Sequence, residues 1–259
     1  MSIDISGYRD KLTQTFEEQG HVLLRGMYAP DVVAGLRAYA DGVFDGSHAT
    51  SPGEISGHPR FGDIRLDIFN RYPLVGQQVF LQSTLTFHLQ LLLGRNFLII
   101  PESGMHRNGF GGLHKDVKSH QDAGLTFHWG ANFQIVTVAI YLQANTVEYG
   151  GGIQIIPGSH RVRFPDYLPD AHGHPVPSEA GDVVVFNHML DHKASWPAGP
   201  VPPDKTKYAI FCCASRNDAH ARNYLAYLKQ RPVYQYLHNY TYPEPLRAKA
   251  QHDGFELMN

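Results

Sequence analysis

Three side chains in this sequence could hold one metal ion between them. His120 and Asp122 stand two apart in Ser119-His120-Gln121-Asp122, and His192 follows the run Gly181-Asp182-Val183-Val184-Val185-Phe186 further on. Two neutral imidazoles and one carboxylate suit a non-haem Fe(II). They cancel part of its charge and leave about three of six octahedral positions open for oxygen and substrate. The H-x-D spacing fits a strand, where residues i and i+2 share a face. His120 and Asp122 would then point at one ion while Gln121 points elsewhere. The same spacing recurs in His114-Lys115-Asp116, and His188 stands close to His192. With 16 His and 24 acidic residues, such pairs arise by chance. Residue types alone leave both pairs and both distal histidines open.

The elements that must position these residues read as follows. Helical spacing of Ile5, Tyr8, Leu12 and Phe16 predicts a helix over 4–19, closed by Gly20. A short strand spans 21–26, and a second helix begins at Pro30-Asp31. Residues 46–63 read as a loop, and 74–93 as one long helix closed by Gly94. Strands follow at 96–100, 132–143, 153–156, 183–186 and 208–214. The alternating β-branched run at 132–143 is the clearest of them. A helix over 218–230, capped by Asn217 or Asp218, precedes a Pro- and Tyr-rich tail expected to wrap the body. Helices first and strands later, with no βαβ alternation, is the α+β pattern.

Composition excludes some partners. A net charge of -2 gives no field to draw nucleic acid or an anionic membrane. No apolar run approaches the roughly 20 residues of a membrane helix, and residues 1–19 carry no signal-peptide core. The two cysteines, Cys212 and Cys213, are adjacent in an apolar run. Adjacent strand residues face opposite ways, so they read as small buried side chains in a reducing, cytoplasmic setting. Oligomeric state is not readable.

Four segments in order resemble the phytanoyl-CoA dioxygenase-like branch of the Fe(II)/2-oxoglutarate oxygenases. They are Gly20 to Gly26 with the helix from Pro30, the His120-Gln121-Asp122 pair, the turn Tyr149-Gly150-Gly151-Gly152 leading to Pro157-Gly158-Ser159-His160-Arg161, and Gly181-Asp182 with His192. The resemblance runs from about residue 15 to about residue 215. It implies a double-stranded β-helix, or jelly roll, with flanking N-terminal helices. It also implies one domain over 1–259, with a helical part to about residue 95, a core to about residue 216, and a C-terminal helix and tail. The family's spacing from the metal Asp to the Gly turn favours His120 and Asp122 over His114 and Asp116. Its spacing after the Gly-Asp pair favours His192 over His188. Fe(II), with 2-oxoglutarate as co-substrate, follows from the same resemblance. An Arg usually anchors the far carboxylate of 2-oxoglutarate. Here Lys207 stands at that position, a point charge in place of a fork, with Arg216 as the fallback. Gln121 can touch the co-substrate in this family. A carboxylate at Asp122 points to hydroxylation, desaturation or cyclisation rather than halogenation.

The substrate is then a small molecule oxidised at a C–H bond by O2, with release of succinate and CO2. His106, Arg107, His128 and Trp129 flank the metal pair and are candidates for its pocket. The basic stretch 105–118 would suit an anionic substrate. No catalytic residue beyond the metal ligands is expected. Two alternatives remain from other classes: a triad iron oxygenase that uses no keto acid, and a metal-binding jelly roll without turnover.

Overall fold

A computed structural model of the protein describes residues 5–47, 54–58, 62–81, 84–117, 134–162 and 172–259. The β-branched run forms β5 (Ile135–Tyr141), buried along its whole length. Around it are β1 (His21–Leu24), β2 (Ile55–His58), β3 (Gly62–Leu66), β4 (Leu98–Arg107), β8 (Val183–Asn187), β10 (Tyr208–Ser215) and β11 (Glu256–Leu257). Together these make an eight-stranded sheet in the order β1-β8-β5-β10-β4-β3-β2, with β11 added parallel to β4. A smaller sheet in the order β7-β6-β9 contains β6 (Ile153–Ile155), β7 (His174–Pro175) and β9 (His192–Ala194).

Alternation divides the large sheet between two cores. Val136, Val138, Ile140, Val183, Val185, Ile210 and Cys212 face the helices. That core also takes Phe16 of α1 (Ile5–Gln19), Leu36 of α2 (Pro30–Gly42), Val79 of α3 (Pro73–Phe80), Leu89 of α4 (Leu85–Leu93) and Leu228 of α5 (Ala219–Gln230). The intervening residues Ala139, Tyr141, Val184, Phe186 and Ala209 face the small sheet and meet Ile153 and Ile155. Two sheets closing on an interior layer, with helices outside the larger one, is the expected α+β jelly roll.

The ends of the elements hold sequence signals. Asp182 accepts from the Gly26 amide at 2.8 Å and from Arg25 at 3.1 Å, which fixes β1 to the turn before β8. Gly20, at φ +80, lies where any Cβ would sit 2.5 Å from His160 Nδ1. Asp218 caps α5 by accepting from the amides of His220 and Ala221.

Three expectations change. The segment read as a loop contains β2, an edge strand held by Arg65 donating to the Ile55 carbonyl at 2.9 Å. The long helix is two, α3 and α4. Apolar periodicity runs through the break, yet each half turns its own stripe inward, Val75, Val79 and Phe80 in one and Leu85, Leu89 and Leu92 in the other. The tail is ordered further than its composition suggests: α6 (Glu244–Asp253) and β11 follow a 3₁₀ stretch, and the Tyr240 and Tyr242 hydroxyls donate to Asp67 and the Ile99 carbonyl. Among the described residues, no helix is long and apolar enough to cross a membrane.

Candidate metal centre

Residues 111–117 run antiparallel beside β9. The Gly111 amide donates to the Ala194 carbonyl, His114 and His192 exchange both backbone bonds at 2.9 Å, and the Val117 amide reaches the His188 carbonyl. His114 and His192 are therefore directly opposite on paired backbones, with ring centroids 4.3 Å apart. Asp116, two residues on, shares the face of His114. One ligand atom from each of His114, Asp116 and His192 can be chosen so that all lie within 4.8 Å of one another.

The donor set fits a metal by its protonation. His114 Nδ1 lies 2.8 Å from the Gly112 carbonyl, and His192 Nδ1 lies 3.0 Å from the Leu190 carbonyl. A carbonyl oxygen only accepts, so each Nδ1 carries the proton and each Nε2 keeps a lone pair. Those Nε2 atoms face Asp116 Oδ1 at 3.5 and 3.7 Å. Burial lowers the His192 pKa to about 4 against the opposing pull of Asp116, so its ring is neutral at pH 7. Burial alone would raise the Asp116 pKa. The His192, His114 and His188 side chains outweigh it and hold the carboxyl well below the usual range. Thr137 donates to the other Asp116 oxygen at 3.3 Å.

The residues between and beside these ligands point the other way and brace them. Lys115 is 1% exposed. Its ammonium is ion-paired with Asp191 at 2.8 Å and donates to the Ser159 and Met189 carbonyls at 2.9 and 2.8 Å. Ser159 Oγ accepts from the Asp191 amide at 2.8 Å. The Pro157-Gly158-Ser159-His160 segment thus locks the strand carrying His114 and Asp116 to the one carrying His192.

A cavity of about 540 Å³ opens from the three residues. Lys207 lines it, 5% exposed, donating to the Gly109 carbonyl at 2.8 Å and lying over the Phe110 ring. Asn108, held at φ 52, clamps it by accepting from the Lys207 amide and donating to its carbonyl. Gly151 leaves room for its stem: a Cβ there would sit 2.4 Å from Lys207 Cδ. Burial lowers the Lys207 pKa to about 7. His106 shares the cavity wall, its pKa pushed down to about 3 by burial and by Lys207.

Residues 16–196 match the phytanoyl-CoA dioxygenase (PhyH) family. The chain belongs to that family. It is accordingly a non-haem Fe(II)- and 2-oxoglutarate-dependent oxygenase. No curated protein sequence matches it. Solved structures of similar fold include the non-haem α-ketoglutarate-dependent epimerase SnoN from nogalamycin biosynthesis, at TM-score 0.63 and 18% identity, covering 82% of both chains. The carbocyclase SnoK from the same biosynthesis gives 0.61 and 20%, over 80% of this chain and 84% of that one. EctD from S. alaskensis, with 2-oxoglutarate and 5-hydroxyectoine, gives 0.63 and 20%, over 80% and 75%. At these identities the likeness is one of fold.

Within this PhyH-family chain, the expected site residues fall into three groups. His192, Lys207 and His106 are brought together on one cavity. His120, Gln121, Asp122, His128 and Trp129 lie outside the described residues. Arg107 and Arg216 are not among the residues that line that cavity. Arg107 alternates with His106 and pairs with Asp63 at 2.6 Å and with Asp45, while Arg216 follows the opposite end of β10 from Lys207. Of the basic residues in 105–118, Arg107 is ion-paired and Lys115 is core, while Lys118 lies outside the described residues. Residues that sequence reasoning missed include Thr137, Tyr141 and Phe186, all read only as strand apolar or polar positions. Glu102 was missed too. It sits where β4 slips register against Cys212 and Cys213 of β10. Pro101 lacks an N–H for the ladder, and such a bulge re-aims the next side chain into the cavity.

Proposed function

We propose that His114, Asp116 and His192 hold Fe(II), that Lys207 anchors 2-oxoglutarate, and that the protein oxidises a C–H bond of a small molecule with release of succinate and CO2. The carrying observation is the convergence of two correctly protonated imidazoles and a carboxylate on the cavity that also holds Lys207. Of the two H-x-D pairs, we take the one whose backbone is paired with His192; the pair favoured by spacing lies outside the described residues. When bound, the iron and the keto acid together supply the activation of oxygen. The chain's own part is positional. Asp116 is held by Thr137, each imidazole is oriented by a carbonyl, and Lys207 offers an ammonium to the far carboxylate. Phe110, Phe186, Phe211 and Ile153 line the space and exclude water from it. The similar structures include an epimerase, a carbocyclase and EctD with bound 5-hydroxyectoine; hydroxylation is the simplest outcome for this site. We read the chain as one domain acting in the cytoplasm, its two cysteines being buried free thiols.

The test is anaerobic addition of Fe(II) and 2-oxoglutarate, followed by admission of oxygen. A weak visible charge-transfer band and then succinate are expected. Iron binding with neither would move the protein to the keto-acid-independent class.

Lys207 predicts a pH dependence. Its pKa of about 7 describes the site without ligand, and a carboxylate beside the ammonium raises it. Above pH 7, binding must then draw in a proton, so affinity for 2-oxoglutarate falls by roughly tenfold per pH unit, while below 7 it is level. Titrations at pH 6.5, 7.5 and 8.5 should show this slope. Lys207→Arg, charged throughout, should flatten it. A level wild-type profile would remove Lys207 from the anchor role.

A further inference from the structure

The cavity has a second polar corner, away from the metal ligands. Glu102 accepts from the Tyr234 hydroxyl at 2.6 Å, from the Tyr224 hydroxyl and from Cys213 Sγ at 3.2 Å. Arg231 stands next to this cluster at the joint between α5 and the 3₁₀ stretch Pro232–Asn239. Its backbone there is fixed on both sides: its amide donates to the Leu228 carbonyl, and its carbonyl accepts from the Tyr234 amide.

Arg231 lines the same cavity as His114, Asp116 and His192. Its guanidinium lies 5.3 Å from the Tyr234 ring centroid and 5.7 Å from that of Tyr227. Among the described residues it meets no carboxylate and donates no side-chain hydrogen bond. Glu102, which shares the Tyr234 side chain with it, already accepts from three donors. Stacking on two rings therefore holds the plane of a fork whose five N–H groups have no acceptor among the described residues. Such a fork matches a planar or tetrahedral oxyanion bidentately. The charge balance agrees: among the described residues, apart from the proposed metal ligand Asp116, the cavity wall carries Lys193, Lys207 and Arg231 against Glu102.

We propose that Arg231 is a binding residue for an oxyanion, a carboxylate or a phosphoryl group, carried by the substrate. This rests on the proposed function, in which Lys207 is occupied by the co-substrate and a second cation on the same wall remains for a second anion. The substrate is then a small, partly apolar acid. Its charged end sits between the C-terminal helix and β4, and its body extends along Phe211 and Phe186 toward His192.

The experiment uses the full chain under anaerobic conditions, loaded with Fe(II) and saturating 2-oxoglutarate. The visible band establishes that the co-substrate site is filled. Benzoate, phenylphosphonate and the neutral benzamide are then titrated by calorimetry into wild type, Arg231→Lys and Arg231→Met. One or both anions should saturate wild type at least tenfold more tightly than benzamide, and the better of the two identifies the oxyanion. Arg231→Met should lose at least tenfold in anion affinity, and Arg231→Lys should fall between. The 2-oxoglutarate midpoint should be the same in all three proteins. Anion binding unchanged in Arg231→Met, no preference over benzamide, or no binding to wild type would each overturn the proposal. A weakened 2-oxoglutarate midpoint in Arg231→Met would overturn it too, by making Arg231 the co-substrate's anchor. Absence of the band in wild type is a different failure, that of the cofactor reading itself.

Discussion

His114→Ala is expected to abolish the Fe(II)–2-oxoglutarate band and succinate formation, and His120→Ala is expected to keep both. Changing residues that merely orient a ligand costs 10- to 100-fold in metal affinity or activity. Removing a ligand itself should cost at least about a hundredfold. The structural ground is backbone pairing. His114 lies directly opposite His192 in the ladder, which brings its imidazole to the same point as that of His192. Asp116→Ala should behave as His114→Ala does, because its carboxylate is the third donor. Metal affinity measured with Co(II) or Fe(II) gives a readout independent of turnover. The reverse pattern, with His120→Ala dead and His114→Ala active, would return the assignment to the pair that motif spacing favours.

What the sequence made legible divides along the line between local and non-local information. The α+β jelly roll, the β1 entry and the Asp218 cap all follow from local pattern. So does the distal strand with His192, because alternation, glycine turns and capping act over a few residues. The choice between His114-Lys115-Asp116 and His120-Gln121-Asp122 does not. Both have strand parity, and what supports the proposed pair is that 111–117 pairs with a strand formed some seventy residues later, a register that side-chain alternation cannot announce. Lys115 carried an unread hint. A lysine between two candidate ligands on a strand must point away from them, and Asp191 next to His192 is placed to meet it there. Glu102 was hidden by a register slip, and Arg231 by a tail whose composition says little about where it docks. The single helix expected over 74–93 failed for a similar reason, since periodicity reports which residues are apolar and not how many axes carry them.

Lys115→Met tests the brace behind the metal centre and should be among the most destabilising single changes in the chain. Lys115 and Asp191 are both wholly buried, 2.8 Å apart. Removing one partner of a buried pair leaves the other charge uncompensated, at about 3–5 kcal/mol. For a domain of this size each kcal/mol is about 2–4 °C, so thermal unfolding should drop by roughly 10 °C. Lys115→Met combined with Asp191→Leu removes both charges and should recover most of that loss, since replacing a buried pair by apolar groups is often near neutral. Metal affinity separates bracing from bulk stability. The double variant, though stable, no longer ties the His114 strand to the His192 strand through Ser159 and Met189, and its affinity should remain about tenfold or more below wild type. If stability and metal affinity recover together in the double variant, the pair serves the core alone. If stability recovers and metal affinity does not, the buried ion pair is what holds the three ligands in register.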